Sequence, residues 1–343
     1  MKALFLRVGV FCAVSMLLLL LSPCGGWAAD DAGLTNCDTL AASPFDPGRK
    51  ADGVADEKID APKALDACLV ATADFPDSPR LRFQLGRAYQ LGKRFREAAA
   101  EYRKAADAGY KTAQYNLGRL YEQGYGMPRD DAQAAAWYRK AADQGYAEAE
   151  NNLGVMYGEG RGVPKDYAQA EAWLRRAAEQ GSPSAQYNFG FMYENGSGVT
   201  QDHAQAIAWF RKAAEQGFAP AENTLGDVYR TGRGVPQDYA QALGWYRKAA
   251  DQGSALGQYN LGSMYLGTGF GLARDYIKAA VLIRKAAEQG LADAQALLGA
   301  MYERGYGLPI NKALAADWYR KAAAQGNARA KEKLSALENA AHR

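Results

Sequence analysis

The sequence predicts an all-α protein, an αα-superhelix (solenoid) of stacked helical hairpins, and two repeated signals predict it. One signal is Ala-Ala-x-x-Gly and the other is a Leu-Gly or Phe-Gly pair, and each recurs every 36 or 37 residues. The first series ends at Gly109, Gly145, Gly181, Gly217, Gly253, Gly290 and Gly326, and the second at Gly118, Gly154, Gly190, Gly226, Gly262 and Gly299. Two signals with one period indicate an array of similar units. Units of this kind are stable because their neighbours bury one continuous core.

Each unit reads as two helices, as residues 110–145 illustrate. Apolar residues at helical spacing predict a first helix over about 112–123, and the glycine- and proline-containing stretch 124–128 ends it. Asp130 then starts the second helix, with Gln133 at the spacing of a capping box. The same pair recurs at Asp166, Asp202 and Asp238. Gly145 is a suitable end for the second helix.

Two other recurring residue types predict how the helices pack. Gly118 and its equivalents stand inside the first helix, where glycine costs about 1 kcal/mol relative to alanine. We therefore expect another helix to approach closely there. The second helices carry tryptophans that we interpret as core residues, although an aromatic ladder could instead bind a ligand; they are Trp137, Trp173, Trp209, Trp245 and Trp318.

The N-terminal residues have the pattern of an export signal. Residues 1–29 combine Lys2 and Arg7 with an apolar run of about 14 residues and small residues before a cleavage point. The run is shorter than the roughly 20 residues of a membrane span, so we expect cleavage and no stable membrane insertion. An uncleaved anchor, or lipidation at Cys24, are the alternatives. Residues 30–78 are expected to form an N-terminal capping segment, with Cys37 and Cys68 paired as in other exported proteins; two reduced, buried thiols are the alternative.

Composition argues against several classes of function. The formal net charge is only +3, which does not favour nucleic acid as a partner. Two histidines leave little for catalysis or metal binding, and no nucleophile–histidine–acid set is present in the sequence. We therefore predict neither an enzyme nor a cofactor or metal site.

The repeats resemble the Sel1-like repeat, a relative of the tetratricopeptide repeat. The residues that carry the resemblance are Ala113–Tyr121, Gly124–Asp130 and Trp137–Ala142. The resemblance covers six units, at 110–145, 146–181, 182–217, 218–253, 254–290 and 291–326. Residues 79–109 resemble a shorter, tetratricopeptide-like unit, and 327–343 read as a C-terminal capping helix.

The resemblance implies an adaptor that binds a protein or peptide on a concave face lined by the first helices. The candidate binding residues on that face are Gln84, Arg87, Asn116, Arg119, Asn152, Asn188, Phe191, Thr224, Asp227 and Asn260. The recurring asparagines fit either peptide binding or hydrogen bonds to a neighbouring repeat. The signal and the family together suggest an exported scaffold of a bacterial periplasm, in envelope regulation or signalling. An envelope enzyme, or a protein that binds β-lactams or peptidoglycan, is the alternative.

Overall fold

A computed structural model describes residues 33–267 and 273–341; the predicted export signal lies outside these residues. The described residues form 17 α-helices and no strand. A short 3-10 turn, Asp56–Lys58, stands between the first two helices. The helices are α1 Asn36–Ala41, α2 Ala61–Asp74, α3 Pro79–Leu91, α4 Phe95–Asp107, α5 Lys111–Gln123, α6 Asp131–Asp143, α7 Ala147–Glu159, α8 Tyr167–Glu179, α9 Pro183–Asn195, α10 His203–Glu215, α11 Ala219–Thr231, α12 Tyr239–Asp251, α13 Ala255–Leu266, α14 Tyr276–Glu288, α15 Ala292–Arg304, α16 Lys312–Ala324 and α17 Ala328–Ala341.

The predicted superhelix of helical hairpins is confirmed. We call the odd-numbered helices α3 to α15 the first helices and the even-numbered helices α4 to α16 the second helices. Each first helix packs on the second helix that follows it, and each second helix packs on the next first helix. First helices also contact one another, as α7 contacts α9 and α11 contacts α13, and no described pair of second helices packs as closely. The first helices therefore form the shorter, inner row of the curve. None of the helices in the described residues combines the length and hydrophobicity that a membrane span requires.

The aspartates before the second helices are N-caps, as predicted, but the capping box is not formed. The side chain of Asp130 accepts the backbone N–H of Gln133 at 2.9 Å. The reciprocal bond, in which the Gln133 side chain would accept the backbone N–H of Asp130, is absent because that N–H already donates to the carbonyl oxygen of Tyr121 at 3.0 Å. The same bond to a first-helix tyrosine recurs before α8, α10, α12, α14 and α16. This bond joins the two helices of a hairpin.

The close helix approach predicted at the first-helix glycines is confirmed. A Cβ added at Gly118 would lie 2.8 Å from the ring of Tyr138, and one at Gly190 would lie 2.7 Å from the ring of Phe210. These rings are fully buried. The repeated glycine is therefore required by the aromatic or aliphatic side chain of the second helix that covers it.

The tryptophans belong to the core only in part. Trp137 is buried, whereas Trp173, Trp209, Trp245 and Trp318 are half-buried and pack against a core formed by the preceding second helix and the first helix of their own repeat. A lysine three residues later covers the ring in four repeats, as Lys212 covers Trp209 at 3.7 Å from the ring centre. The tryptophan rings therefore cover the contact between successive repeats. In four repeats a lysine side chain lies over the outer face of the ring.

A recurring glutamine, which sequence reasoning missed, also joins the helices of a hairpin. Gln144 follows the second helix α6, and its Nε2 donates to Oε1 of Gln114 in the first helix at 2.8 Å. Equivalent bonds join Gln180 to Glu150, Gln216 to Gln186, Gln252 to Glu222, Gln289 to Gln258 and Gln325 to Gln295. The first-helix partners are buried, so each bond satisfies a side chain that water does not reach.

Both ends of the array are covered by elements outside the six long repeats. At the N-terminal end, α1 and α2 are joined by the predicted disulfide between Cys37 and Cys68, and both helices pack on α3. At the C-terminal end, α17 packs on α16, and Asn327 caps it by accepting the N–H of Ala330. The apolar faces of the terminal hairpins are therefore shielded from solvent.

Candidate partner-binding groove

The residues predicted to bind a partner lie on one face of the inner row of helices. They stand two residues before and one residue after the first-helix glycine, as Asn116 and Arg119 flank Gly118 in α5. Two cavities open on this face, one at each end of the row. We call the face between them the groove.

The N-terminal cavity has a volume of about 690 Å³ and contains three of the predicted residues, Arg87, Asn116 and Arg119. Its floor is aromatic and is formed by Phe83, Tyr102, Tyr115 and Tyr146. Arg119 is exposed, and its guanidinium lies 6.0 Å from the ring centre of Tyr115. The cavity thus combines cationic and amide groups with an apolar floor, a combination that suits a peptide.

Two of the predicted residues are not available to a partner, and the interpretation of them as binding residues is wrong for this structure. Gln84 is fully buried, and its Nε2 donates to Asp38 at 3.0 Å. Arg87 is buried too, and its guanidinium donates to the carbonyl oxygens of Ala42 at 2.8 Å and Val54 at 2.6 Å. The N-terminal segment 33–58 lies over both side chains. The protein's own chain therefore covers these two side chains of α3 and forms one wall of the N-terminal cavity.

Buried polar contacts hold this segment in place. Asp38 forms a fully buried ion pair with Arg80 of α3. Asp46 is also buried, and it accepts hydrogen bonds from the hydroxyls of Tyr110 at 2.6 Å and Thr112 at 3.1 Å. Burial raises the pKa of the Asp46 carboxyl, and these hydrogen bonds oppose the rise.

The asparagines bond within the protein. The Nδ2 of Asn116 donates to the carbonyl oxygen of Thr112 at 2.9 Å, one turn earlier in its own helix. The Nδ2 of Asn188 donates to the side chain of Asn151 in the preceding repeat at 2.8 Å, and Asn151 donates in turn to Asn152 at 3.1 Å. Asn151, which sequence reasoning did not select, thus connects two repeats. The Asn188 contact is of the second kind that the sequence left open, a bond to a neighbouring repeat, whereas the Asn116 contact stays within its own helix.

The remaining predicted residues line the middle of the groove and are half-buried. Phe191 packs edge-on against Phe210, with ring centres 5.0 Å apart. The Thr224 hydroxyl lies 3.3 Å from that of Tyr187. Asp227 accepts a hydrogen bond from Tyr246 at 2.7 Å. Asn260 makes no hydrogen bond through its side chain to any described residue. The middle of the groove is therefore a largely satisfied surface, and open space lies at its two ends.

The C-terminal cavity, of about 400 Å³, contains none of the predicted residues. We call it the basic cup, defined by Tyr259, Arg274, Arg304, Tyr306, Arg329 and Lys333. On α15 the positions equivalent to Asn116 and Arg119 hold Leu297 and Ala300, which line the cup. This departure from the repeat pattern is the sequence signal that could have indicated a different surface here.

No cluster of residues suited to hold a metal ion occurs among the residues that the structure describes. The groove offers hydrogen-bonding, cationic and aromatic groups without a nucleophile paired with a base. The fold and the groove together define an α-helical repeat protein of the scaffold type.

Comparison with known proteins gives the family. The Sel1 repeat model matches residues 111–146, 147–182, 183–218, 219–254, 255–291 and 292–327, and the chain belongs to the Sel1 repeat family. No curated protein matches the chain.

Two solved structures are similar to this chain at more than 30% identity. The protein c5321, a protective antigen present in uropathogenic Escherichia coli strains and described as displaying an SLR fold, is 41% identical with a TM-score of 0.64. That match covers 80% of this chain and 59% of the other, so the chain spans about three fifths of that relative's length. A Sel1 repeat protein from Oxalobacter formigenes is 33% identical with a TM-score of 0.65, over 70% of this chain and 98% of the other.

Proposed function

We propose that this protein is an exported scaffold that binds a segment of a partner protein along the groove. The observation that carries the proposal is the location and lining of the two cavities. Both cavities lie on the inner row of helices, and both are lined by charged and aromatic side chains rather than by apolar ones alone. Side chains of this type, on a rigid helical framework, suit the recognition of an extended peptide.

The disulfide supports an oxidising compartment for the folded protein. Disulfides persist in exported proteins and are rare in the cytosol. The Cys37–Cys68 bond joins the six-residue helix α1 to α2 across the segment that separates them. With the export pattern of residues 1–29, this bond supports a bacterial periplasm as the site of action, in regulation or signalling within the envelope.

Site-specific photo-crosslinking in the native envelope tests the proposal. A photoreactive amino acid at Arg119 places the probe in the N-terminal cavity, and one at Arg247 places it on the exposed surface of the second helix α12. We expect one defined crosslinked species from the Arg119 position and none from the Arg247 position. The captured protein, once purified, should bind the Arg119→Glu variant at least about tenfold more weakly, which corresponds to 1.4 kcal/mol.

Equal crosslinking from both positions, or none from the groove, would contradict the proposal. The Arg247→Glu variant is the control for the binding measurement, because it makes the same change of charge outside the groove. Circular dichroism of both variants checks that the helices are retained.

A further inference from the structure

We propose that the basic cup binds a carboxylate group of the partner's peptide. This inference rests on the proposed function and deepens it, since it assigns the chemistry of one end of the groove. The supporting observation is four cationic side chains around one cavity, with a single carboxylate, Asp293, among its lining residues.

Among the residues that the structure describes, none of the acidic side chains forms an ion pair with a cation of the cup. Arg304 and Arg329 are exposed and Lys333 is half-buried. None of these three side chains forms an ion pair or a hydrogen bond with a described residue. Arg274 donates to the hydroxyl of Tyr276 at 2.8 Å, a neutral partner that leaves its charge uncompensated.

Most arginines on the first helices elsewhere are paired with an acidic residue. Arg119 forms no ion pair with a described residue, but its cavity is also lined by Asp56, Glu57 and Glu148. Arg87 is paired with Asp56 at the opposite end of the groove, and Arg230 is paired with Asp227 in its middle. The formal charge of the whole chain is only +3. A local excess of cations in one cavity is therefore a specific feature of the C-terminal end and does not follow from composition.

The acidic groups near the cup have other partners. Asp293 accepts a hydrogen bond from Nδ2 of Asn327 at 2.8 Å. Glu303, next to Arg304 in the chain, accepts the hydroxyl of Tyr319 at 2.8 Å. Both carboxylates are thus held by neutral donors, and the guanidinium groups remain free for an incoming anion.

The walls of the cup favour a peptide carboxylate over a bare inorganic anion. The rings of Tyr276 and Tyr306 stack with centres 5.0 Å apart, and Leu266 and Leu297 add apolar surface. An apolar side chain beside the carboxylate would bury against this surface while the cations bind the charge. The carboxylate could come from an Asp or Glu side chain or from a chain terminus, and the chemistry of the contact is the same.

Fluorescence anisotropy with matched short peptides tests the inference. The first probe is a labelled peptide of alternating leucine and glutamate with a free C-terminus. A second has an amidated C-terminus, a third replaces each glutamate by glutamine, and a fourth carries both changes. We expect the first to bind and the fourth not to bind; the second and third identify which carboxylate is recognised.

The Arg329→Gln/Lys333→Gln variant should bind the acidic peptide at least about tenfold more weakly than the unmodified protein, because charge-assisted hydrogen bonds are lost. The matched control is Arg247→Gln/Lys331→Gln, which removes the same charge from exposed positions outside the cup and should change binding less than about twofold. Thermal unfolding of both variants monitors the fold.

Several results would overturn the inference: equal binding of all four peptides, equal affinity of both double variants, or displacement of the peptide by inorganic phosphate at the same concentration. The experiments can contradict the proposal about the basic cup and the proposed scaffold function separately. If the captured partner still crosslinks to the Arg119 position but acidic peptides do not bind, only the cup is wrong. If acidic peptides bind the cup and no partner crosslinks to the groove, only the proposed scaffold function is wrong.

Discussion

The Nη2 atom of Arg87 lies 2.6 Å from the carbonyl oxygen of Val54, a residue 33 positions earlier in the chain. The same guanidinium also reaches the carbonyl oxygens of Ala41 and Ala42 and the carboxylate of Asp56. One buried side chain thus holds three separate points of the N-terminal segment. The segment covers α3 at this end and forms one wall of the N-terminal cavity, which stays open beside it.

Replacing Arg87 by lysine should destabilise the N-terminal segment although the charge is kept. A single ammonium group cannot reproduce the planar fork that serves these acceptors, and a buried carbonyl without a donor costs about 1–3 kcal/mol. Chemical denaturation should show a loss of that size. Arg119→Lys is the matched control, since Arg119 occupies the equivalent position in the next first helix and is exposed. Equal stability of the two variants would show that the Arg87 contacts contribute nothing.

Removing the disulfide should destabilise the same segment through the unfolded state. The bond links residues 31 positions apart, and a loop of that length corresponds to about 3–4 kcal/mol in the chain-entropy treatment. The Cys37→Ala/Cys68→Ala variant should unfold at lower temperature than the oxidised protein. A reducing agent should lower the unfolding temperature of the unmodified protein and leave that of the variant unchanged. If the reducing agent lowered the unfolding temperature of the variant by a similar amount, the loss of the Cys37–Cys68 bond would not be the cause.

Replacing Gly190 by alanine should destabilise the array even though alanine is the better helix former. The added Cβ would lie 2.7 Å from the Phe210 ring and 3.2 Å from the carbonyl oxygen of Ala206, and such overpacking costs about 1–3 kcal/mol. A larger residue should have a larger effect. Gly244 is the control, because a Cβ there meets no atom within 4 Å; Gly244→Ala should stabilise by up to about 1 kcal/mol. Stabilisation at both glycines would remove the packing explanation.

The contribution of Asp46 to stability should decrease as pH rises. Burial raises its folded pKa above the ordinary value of 3.8, so the folded state binds its proton more tightly than the unfolded state does. The contribution is fully present below the unfolded pKa and is lost as pH rises through the folded pKa. The unfolding free energy of the unmodified protein minus that of Asp46→Asn should therefore fall over this range. A difference that stays constant, or that grows with pH, would contradict the raised pKa.

Local sequence patterns predicted the hairpins and most of their caps. Asp130 and its equivalents begin second helices and Gly145 and its equivalents end them, because caps depend on residues only a few positions apart. The capping box failed at the same positions, since the backbone N–H it requires donates to a tyrosine nine residues earlier. A four-residue motif contains no information about that competing acceptor.

The candidate site was predicted less well than the fold. Helical spacing placed Asn116 and Arg119 correctly on the inner face, and both line a cavity there. The same spacing selected Gln84 and Arg87, which the N-terminal segment covers. Periodicity identifies a face of a helix, and only the packing of distant segments decides whether that face is open.

The period of the repeats, the order of the helices and the glycines that their packing requires were all readable from the chain alone, because each depends on neighbours within one unit. The three-dimensional arrangement alone decided two other features. One is the covering of Gln84 and Arg87 by residues 33–58, and the other is the position of Arg274, Arg304, Arg329 and Lys333 around one cavity. These contacts join segments tens of residues apart, and their geometry follows from the angles at which successive hairpins stack, which no local pattern specifies.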